Sequence, residues 1–274
     1  MGKNMMKIEK GKQFPRIPWH LVDPSPWPFT TSVSILCIVL GLTRWINGRD
    51  WRIIFYGALL LRVSVVRWFR DITIEATFQG MHTKPVQRGL KLGFKLFLLS
   101  ELILFFSFFW AFIHSALSPS VEVGCCWPPA GVTTLRPWQD AAVNTCILLT
   151  SGARVTWRHK AIKLGSLKER FLRLLQTIGW GCLFTYSQYQ EYKVCPFTIA
   201  DRVYGSCFFL LTGLHGLHVI GGTGFLIGRL FRIGRRHFRT GHHLGYVFSI
   251  WYWHFVDIIW LFVWGIIYIW GSWV

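Results

Sequence analysis

Residues 96–113 read LFLLSELILFFSFFWAFI, and Glu101 is the only charged residue in this run. The run belongs to an apolar stretch at 89–116, which is long enough to cross a bilayer, since a membrane helix needs roughly 20 apolar residues. A carboxylate is costly in lipid, so it must face protein, water or a proton path, or carry a proton. Glu101 therefore predicts either a proton-related carboxyl group or a neutral acid whose hydrogen bonds tie two helices together.

The nearest basic residue in the same stretch, Lys95, is not placed to form an ion pair with Glu101. Lys95 lies six residues earlier, roughly 9 Å along a helix axis, and on a different face. Desolvation disfavours the charged form of a carboxyl group that no cation reaches. We therefore expect Glu101 to be mostly protonated near neutral pH.

The composition excludes an ordinary soluble domain. Of the 274 residues, 52% are hydrophobic, 17% are aromatic and 15% are charged, whereas a soluble domain has about 25% charged residues. The 16 tryptophans suit membrane interfaces, where an amphipathic ring lies at headgroup depth. The seven cysteines form no Cys-x-x-Cys pair and no zinc-type spacing, which predicts a chain without disulfides. A redox-active pair at Cys125 and Cys126 is the alternative.

Seven apolar stretches predict an all-α membrane protein with seven transmembrane helices. They lie at about 28–46, 51–69, 89–116, 138–157, 171–189, 203–228 and 246–270. We expect a basic N-terminal segment at 1–27, a two-helix hairpin at 28–70, a polar inner linker at 71–88 and a five-helix bundle at 89–274. No internal repeat is visible, which argues against a transporter built from duplicated halves.

The distribution of Lys and Arg predicts the orientation. Basic residues concentrate in the N-terminal segment and in the regions 70–91, 158–170 and 229–239, which an odd number of spans places on one side of the membrane. Such an excess marks the inner side, so we expect the N-terminus inside and the C-terminus outside. The net charge of +18 then reflects topology and attraction to anionic headgroups, and nucleic-acid binding is not expected.

Histidines and an aspartate supply the other polar groups within the apolar stretches. His215 and His218 are three residues apart, and so share one helix face in the glycine-rich run TGLHGLHVIGG at 212–222. Two histidines are too few for zinc or copper, so hydrogen bonds across a close helix contact are favoured over a metal site. His254 and Asp257 are also three apart, and predict a buried polar clamp. A catalytic triad is the alternative, but no Gly-x-Ser-x-Gly motif accompanies them.

Several motifs together resemble one family, and they occur in order from about residue 20 to the C-terminus. They are DPSPWP (23–28), RD (70–71), EATFQG (75–80), SE (100–101), FFWAF (108–112), CWPP (126–129), PFTIAD (196–201), VYGS (203–206), GLHGLHVI (213–220) and WYWHFVD (251–257). The sequence is similar to subunit III of mitochondrial cytochrome c oxidase.

The resemblance implies a fold and a set of site residues. Helices 1–2 and 3–7 would splay into a V whose cleft holds phospholipid, namely phosphatidylglycerol, phosphatidylethanolamine or cardiolipin. Glu101 stands where the family has a buried carboxyl group that reacts with carbodiimide. Trp68, Glu75, His82 and Arg232 fall where the family contacts lipid, although a solvated polar loop is the alternative for the region 70–88. Haem and copper would belong to partner subunits, with no metal in this chain.

The resemblance also implies a function and a location. The chain would be a non-catalytic core subunit of respiratory complex IV, without a redox centre of its own. It would support proton uptake and stability of subunit I and would contact other oxidase subunits and supercomplex neighbours. An organelle-encoded protein of the mitochondrial inner membrane is implied, with its N-terminus in the matrix and its C-terminus in the intermembrane space. A bacterial-type quinol oxidase subunit, and a proton-linked transporter or channel using Glu101, His215 and His218, are the alternatives.

Overall fold

The computed structural model describes residues 17–163, 167–234 and 244–272. Within these ranges the chain forms seven α-helices and no strand. The helices are α1 (Trp27–Ile46), α2 (Arg52–Thr77), α3 (Lys84–Leu117), α4 (Asp140–Lys163), α5 (Leu167–Val194), α6 (Arg202–Gly234) and α7 (Leu244–Val263). A 3-10 turn follows α3 at Val121–Val123, and a π-helical segment, Trp264–Trp270, continues α7. The predicted all-helical class is confirmed.

Four of these helices are long and apolar enough to cross a membrane. They are α1, α3, α6 and the combined run Leu244–Trp270. In the described residues α2, α4 and α5 span 26, 24 and 28 residues, but they carry more charged and polar side chains. Helix α2 also continues to Thr77 and α3 begins at Lys84, so helical structure occupies part of the stretch predicted as a polar linker.

The chain divides into two compact units, the first ending at Leu90 and the second beginning at Lys91, within α3. In the first unit α1 and α2 form a close hairpin. A Cβ at Gly41 would lie 2.7 Å from the Ile54 backbone nitrogen, and one at Gly57 would lie 3.0 Å from Ile38 Cγ1. Small residues on both helices therefore allow their backbones to approach closely.

The open ends of this hairpin are held together by polar contacts. The Trp27 indole donates to Asp71 Oδ2 at 2.5 Å, and the Arg67 guanidinium lies 5.8 Å from the Trp27 ring centroid. The hydroxyl of Thr83 donates to the Pro18 carbonyl oxygen. Since Trp27 begins α1 and Asp71 lies in the last two turns of α2, one hydrogen bond fixes the register of the two helices.

In the second unit, helices α4 to α7 pack closely and α3 contacts them through large side chains. Phe105, Phe109 and Phe112 of α3 are buried. Nearer the N-terminal part of α3, the ring of Phe94 stacks on Phe248 of α7 with centroids 4.5 Å apart. Bulky aromatic contacts of this kind bury much apolar area while holding helix axes apart.

Two of the three tryptophans of α7 form part of the core. Trp253 and Trp260 are 1% and 0% exposed, which differs from the interfacial position that the composition suggests. The Trp253 indole donates to Ser151 Oγ at 3.0 Å and the Trp260 indole to Thr145 Oγ1 at 2.9 Å. A buried indole needs such an acceptor, and α4 supplies it with small hydroxyl side chains.

Candidate functional site

The second unit contains a carboxyl–imidazole pair between α3 and α6. His218 Nε2 lies 2.7 Å from Glu101 Oε2, and the side chains are 12% and 21% exposed. His218 thus makes a hydrogen bond from α6 to α3. Its partner, Glu101, could not be identified from the sequence, because the two residues are 117 positions apart.

Hydrogen-bond chemistry fixes the tautomer of His218. Its Nδ1 lies 2.8 Å from the Leu214 carbonyl oxygen, and a carbonyl oxygen only accepts, so Nδ1 carries a hydrogen. The 2.7 Å contact to Glu101 then contains one proton, placed on the carboxyl group or on Nε2. Either placement leaves the pair electrically neutral, which removes the cost of burying a single charge.

Aromatic rings surround this pair. The ring centroids of Phe105 and Tyr252 lie 5.0 Å and 6.3 Å from that of His218. Lys95 directs its ammonium group elsewhere, 5.7 Å from the Trp251 ring centroid. The basic side chain that contacts Glu101 is therefore His218, and Lys95 contacts Trp251 instead.

His215 occupies a different environment from His218. It is fully buried, and its Nε2 donates to the Val256 carbonyl oxygen at 3.1 Å. Its ring lies between Phe184 and Trp260, with centroids 5.5 Å and 5.0 Å away. His215 therefore joins α6 to α7 and is not directed at the Glu101 pair.

The last two candidate polar residues approach α4. A Cβ at Gly152 would collide with Asp257 Oδ2 and would lie 3.8 Å from His254 Nδ1. Asp257 is 8% exposed, and its Oδ1 is buried without a hydrogen-bond partner among the described residues. The absence of a side chain at Gly152 makes room for both groups, and the direct clamp between His254 and Asp257 stays a prediction.

Within residues 17–163, 167–234 and 244–272, no group of three or more His, Cys, Asp or Glu side chains is arranged to hold a metal ion. Both ring nitrogens of His218 and Nε2 of His215 are in the hydrogen bonds described above, whereas His215 Nδ1 is buried with no partner among the described residues.

Comparison with known proteins identifies the family. Residues 17–272 match the family described as Cytochrome c oxidase subunit III. A protein of Paracentrotus lividus named Cytochrome c oxidase subunit 3 is 50% identical over 255 residues, which covers 93% of this chain and 98% of the relative. Relatives of the same name from Danio rerio and Oncorhynchus mykiss are 50% and 49% identical over 254 residues, covering 93% of this chain and 97% of each relative.

The chain belongs to the cytochrome c oxidase subunit III family. It is a multi-pass helical membrane protein, and the resemblance inferred from its motifs is confirmed. In this subunit III family member the Glu101 of the SE motif and the His218 of the GLHGLHVI motif meet in one hydrogen bond. Two of the motifs that identify the family thus each contribute one residue to this hydrogen bond.

The residues predicted to bind lipid lie in both units of this family member. In the first unit Glu75 Oε2 is 3.7 Å from His20 Nε2, and the His20 and His82 rings meet edge to face with centroids 5.9 Å apart. Trp68 is half-buried on α2. The contact of His20 with Glu75 could not be predicted from the sequence, because His20 precedes α1 and belongs to no periodic pattern of residues. In the second unit, half-buried Arg232 lies near the C-terminal end of α6.

Proposed function

We propose that this chain is a non-catalytic core subunit of cytochrome c oxidase, respiratory complex IV, whose partner subunits hold haem and copper. The family match over residues 17–272 carries this proposal. The many exposed apolar side chains of α1 and α2 also support it, since a helix surface of this kind must face lipid or partner helices. Subunit I is the main partner that we propose, with other oxidase subunits and respiratory supercomplex neighbours around it.

The proposed role of the Glu101–His218 pair is to modulate proton supply to subunit I. The pair holds one proton in a neutral, mostly apolar site, and it gains or loses charge only when a second proton arrives or the first leaves. This behaviour suits a proton reservoir that buffers delivery rather than an obligatory relay. We also propose, as the family resemblance implies, that Glu101 is the group in this chain that reacts with a hydrophobic carbodiimide.

Phospholipid contacts are proposed for each unit by itself. Glu75, His20 and His82 place a carboxylate and two imidazoles together, and Trp68 offers a half-buried ring on the same hairpin. Arg232 offers a guanidinium group, which binds phosphate through paired hydrogen bonds. Phosphatidylglycerol, phosphatidylethanolamine and cardiolipin are the lipids proposed, and the V-shaped lipid cleft stays a prediction.

The proposed location is the mitochondrial inner membrane, with seven spans, the N-terminus in the matrix and the C-terminus in the intermembrane space. The animal relatives with the subunit 3 name support the location, and the inner-side excess of Lys and Arg supports the orientation. In this orientation Glu75, His82 and Arg232 lie near the matrix face.

Affinity purification tests the assembly directly. A tagged chain in gentle detergent should co-purify with a haem-containing subunit I and with oxygen reduction driven by reduced cytochrome c. After this chain is separated from its partners, it should contain no stoichiometric haem, copper or zinc. Purification without haem bands, or activity with a quinol in place of cytochrome c, would contradict the proposal. The first result would favour a transporter or channel, and the second a quinol oxidase.

Mass spectrometry of the intact complex tests the lipid proposal. Arg232→Ala should reduce the amount of bound anionic phospholipid, because one phosphate loses its guanidinium partner. Arg202→Ala, at the opposite end of α6, is the matched control and should leave the lipid content unchanged. Equal lipid content in both variants and in the unmodified complex would contradict a lipid contact at Arg232.

A further inference from the structure

A carboxyl group that the proposed function does not use lies at the C-terminal end of α5. Glu191 is 3% exposed, and its neighbours Gln188 and Tyr268 are 5% and 2% exposed. The Tyr268 hydroxyl donates to Glu191 Oε1 at 2.5 Å. The Gln188 amide nitrogen donates to the same oxygen at 3.2 Å and lies 3.4 Å from the Tyr268 hydroxyl.

The two oxygens of the Glu191 carboxyl group are not equivalent. Oε1 accepts two hydrogen bonds, whereas Oε2 is buried with no partner within the described structure, and so is the amide oxygen of Gln188. An ionised carboxylate carries negative charge on both oxygens, and an oxygen that is buried without a hydrogen-bond donor loses the solvation it would have in water. The pattern is instead that of a carboxylic acid, with one carbonyl oxygen and one hydroxyl oxygen.

Among the described residues, the groups that face Glu191 carry no positive charge. They are Asp140 of α4, Tyr192 and Cys195 beyond it on the chain, and Tyr268 of the π-helical segment. Tyr192 in turn shares a hydrogen bond with Thr212 of α6. Lys193, the nearest base in sequence, places its ammonium group 4.6 Å from the Tyr189 ring centroid. A buried carboxyl group without a cation takes up a proton, because an isolated buried charge is far more costly.

We propose that Glu191 is a proton-binding site, held as a neutral acid that donates from Oε2 to the amide oxygen of Gln188. One proton then satisfies both of the unpartnered buried oxygens. Gln188 and Glu191 are three residues apart on one face of α5, so their side chains form a closed acid–amide pair. Tyr268 caps this pair and joins α5 to the end of the chain.

Infrared spectroscopy of the purified membrane complex that contains this chain tests the assignment. A protonated carboxyl group has a C=O stretch well separated from carboxylate bands, and the stretch shifts in heavy water. Glu191→Gln should abolish one such band while the complex still assembles, because a carboxamide can donate to Gln188 and accept from Tyr268 in the same places. Glu101→Gln is the matched control and should leave the Glu191 band in place. Loss of carboxylate bands instead of a protonated-carboxyl band would overturn the proposal.

A second variant keeps the test decisive if Glu191→Gln does not assemble. Gln188→Leu removes the acceptor of the proposed O–H donor and leaves Glu191 itself intact. The C=O stretch should then shift, because the acid has lost one hydrogen-bond partner. An unchanged spectrum in the protonated-carboxyl region would show that Glu191 does not donate to Gln188 and would overturn the proposal. This outcome does not depend on the role of Glu101 or on oxidase activity.

Discussion

His218 Nε2 lies 2.7 Å from Glu101 Oε2, so that a single hydrogen bond joins α6 to α3. The opposite ring nitrogen is fixed as a donor by the Leu214 carbonyl oxygen. Because Nδ1 keeps its hydrogen, any further proton of the pair lies on His218 Nε2 or on the Glu101 carboxyl group. A half-buried carboxyl group and a half-buried imidazole thus satisfy each other between two helices.

This pairing predicts coupled effects in a double-mutant cycle. Glu101→Leu and His218→Leu should each weaken the association of α3 with α6, by about 1–3 kcal/mol, because each leaves a half-buried polar partner unsatisfied. The double variant should cost less than the sum of the two, since both partners are then removed. Thermal dissociation of the chain from its complex measures these differences. Strictly additive effects would contradict a direct bond.

Two nearby glycines of α5 provide a matched test of helix packing. A Cβ at Gly181 would lie 2.6 Å from Thr223 Oγ1 and 2.7 Å from the Trp253 ring, whereas one at Gly179 meets nothing within 4 Å in the described structure. Gly181→Ala should therefore destabilise the bundle by about 1–3 kcal/mol through overpacking, and Gly179→Ala should not. Thermal unfolding in detergent measures both. Equal midpoints for the two variants would contradict the packing of α5 against α6 and α7.

The cysteines predict a graded reactivity with thiol reagents. Cys125 and Cys126 are exposed in the segment between α3 and α4. Burial raises the pKa of the Cys195 thiol, although a backbone hydrogen bond from Phe197 partly offsets this. Since the thiolate is the reactive form, Cys195 should react more slowly near neutral pH and should gain reactivity only as the pH rises.

Labelling with a membrane-impermeant maleimide checks this order and the topology together. In the proposed orientation Cys125 and Cys126 face the intermembrane space, so reagent added to that side should modify them first. Replacing both residues with Ser should remove the fast phase and leave the slow reaction of Cys195. Fast labelling from the matrix side would contradict the orientation. Fast labelling that survives in the double Ser variant would contradict the assignment to these two residues.

Helices and family could be inferred from the sequence because their signals are local. The apolar run around Glu101 is continuous, and the motifs at 213–220 and 251–257 are rich in uncommon residues. The extension of α2 to Thr77 was missed because the polarity of residues 71–77 suggests a loop. Yet Asp71 accepts a hydrogen bond from the Trp27 indole, and the Glu75 carboxyl group lies 3.7 Å from His20 Nε2.

The pairing of side chains could not be inferred, because it depends on tertiary register. Nothing local indicates that Glu101 meets His218 rather than His215, which is only one helix turn away. Glu191 lies just beyond the predicted stretch 171–189, where a charged residue normally faces water. Its burial arises from the C-terminal segment, which brings Tyr268 over the end of α5.

The most direct measurement is proton pumping by the fully assembled oxidase that contains Glu101→Gln. Gln preserves the shape and can still bond to His218, but it cannot release or take up a proton. Oxygen reduction should remain largely intact, carbodiimide labelling of this chain should disappear, and the number of protons pumped per electron should be unchanged or reduced. Complete loss of oxygen reduction in a fully assembled Glu101→Gln oxidase would contradict the modulatory role and would place Glu101 on the main proton path.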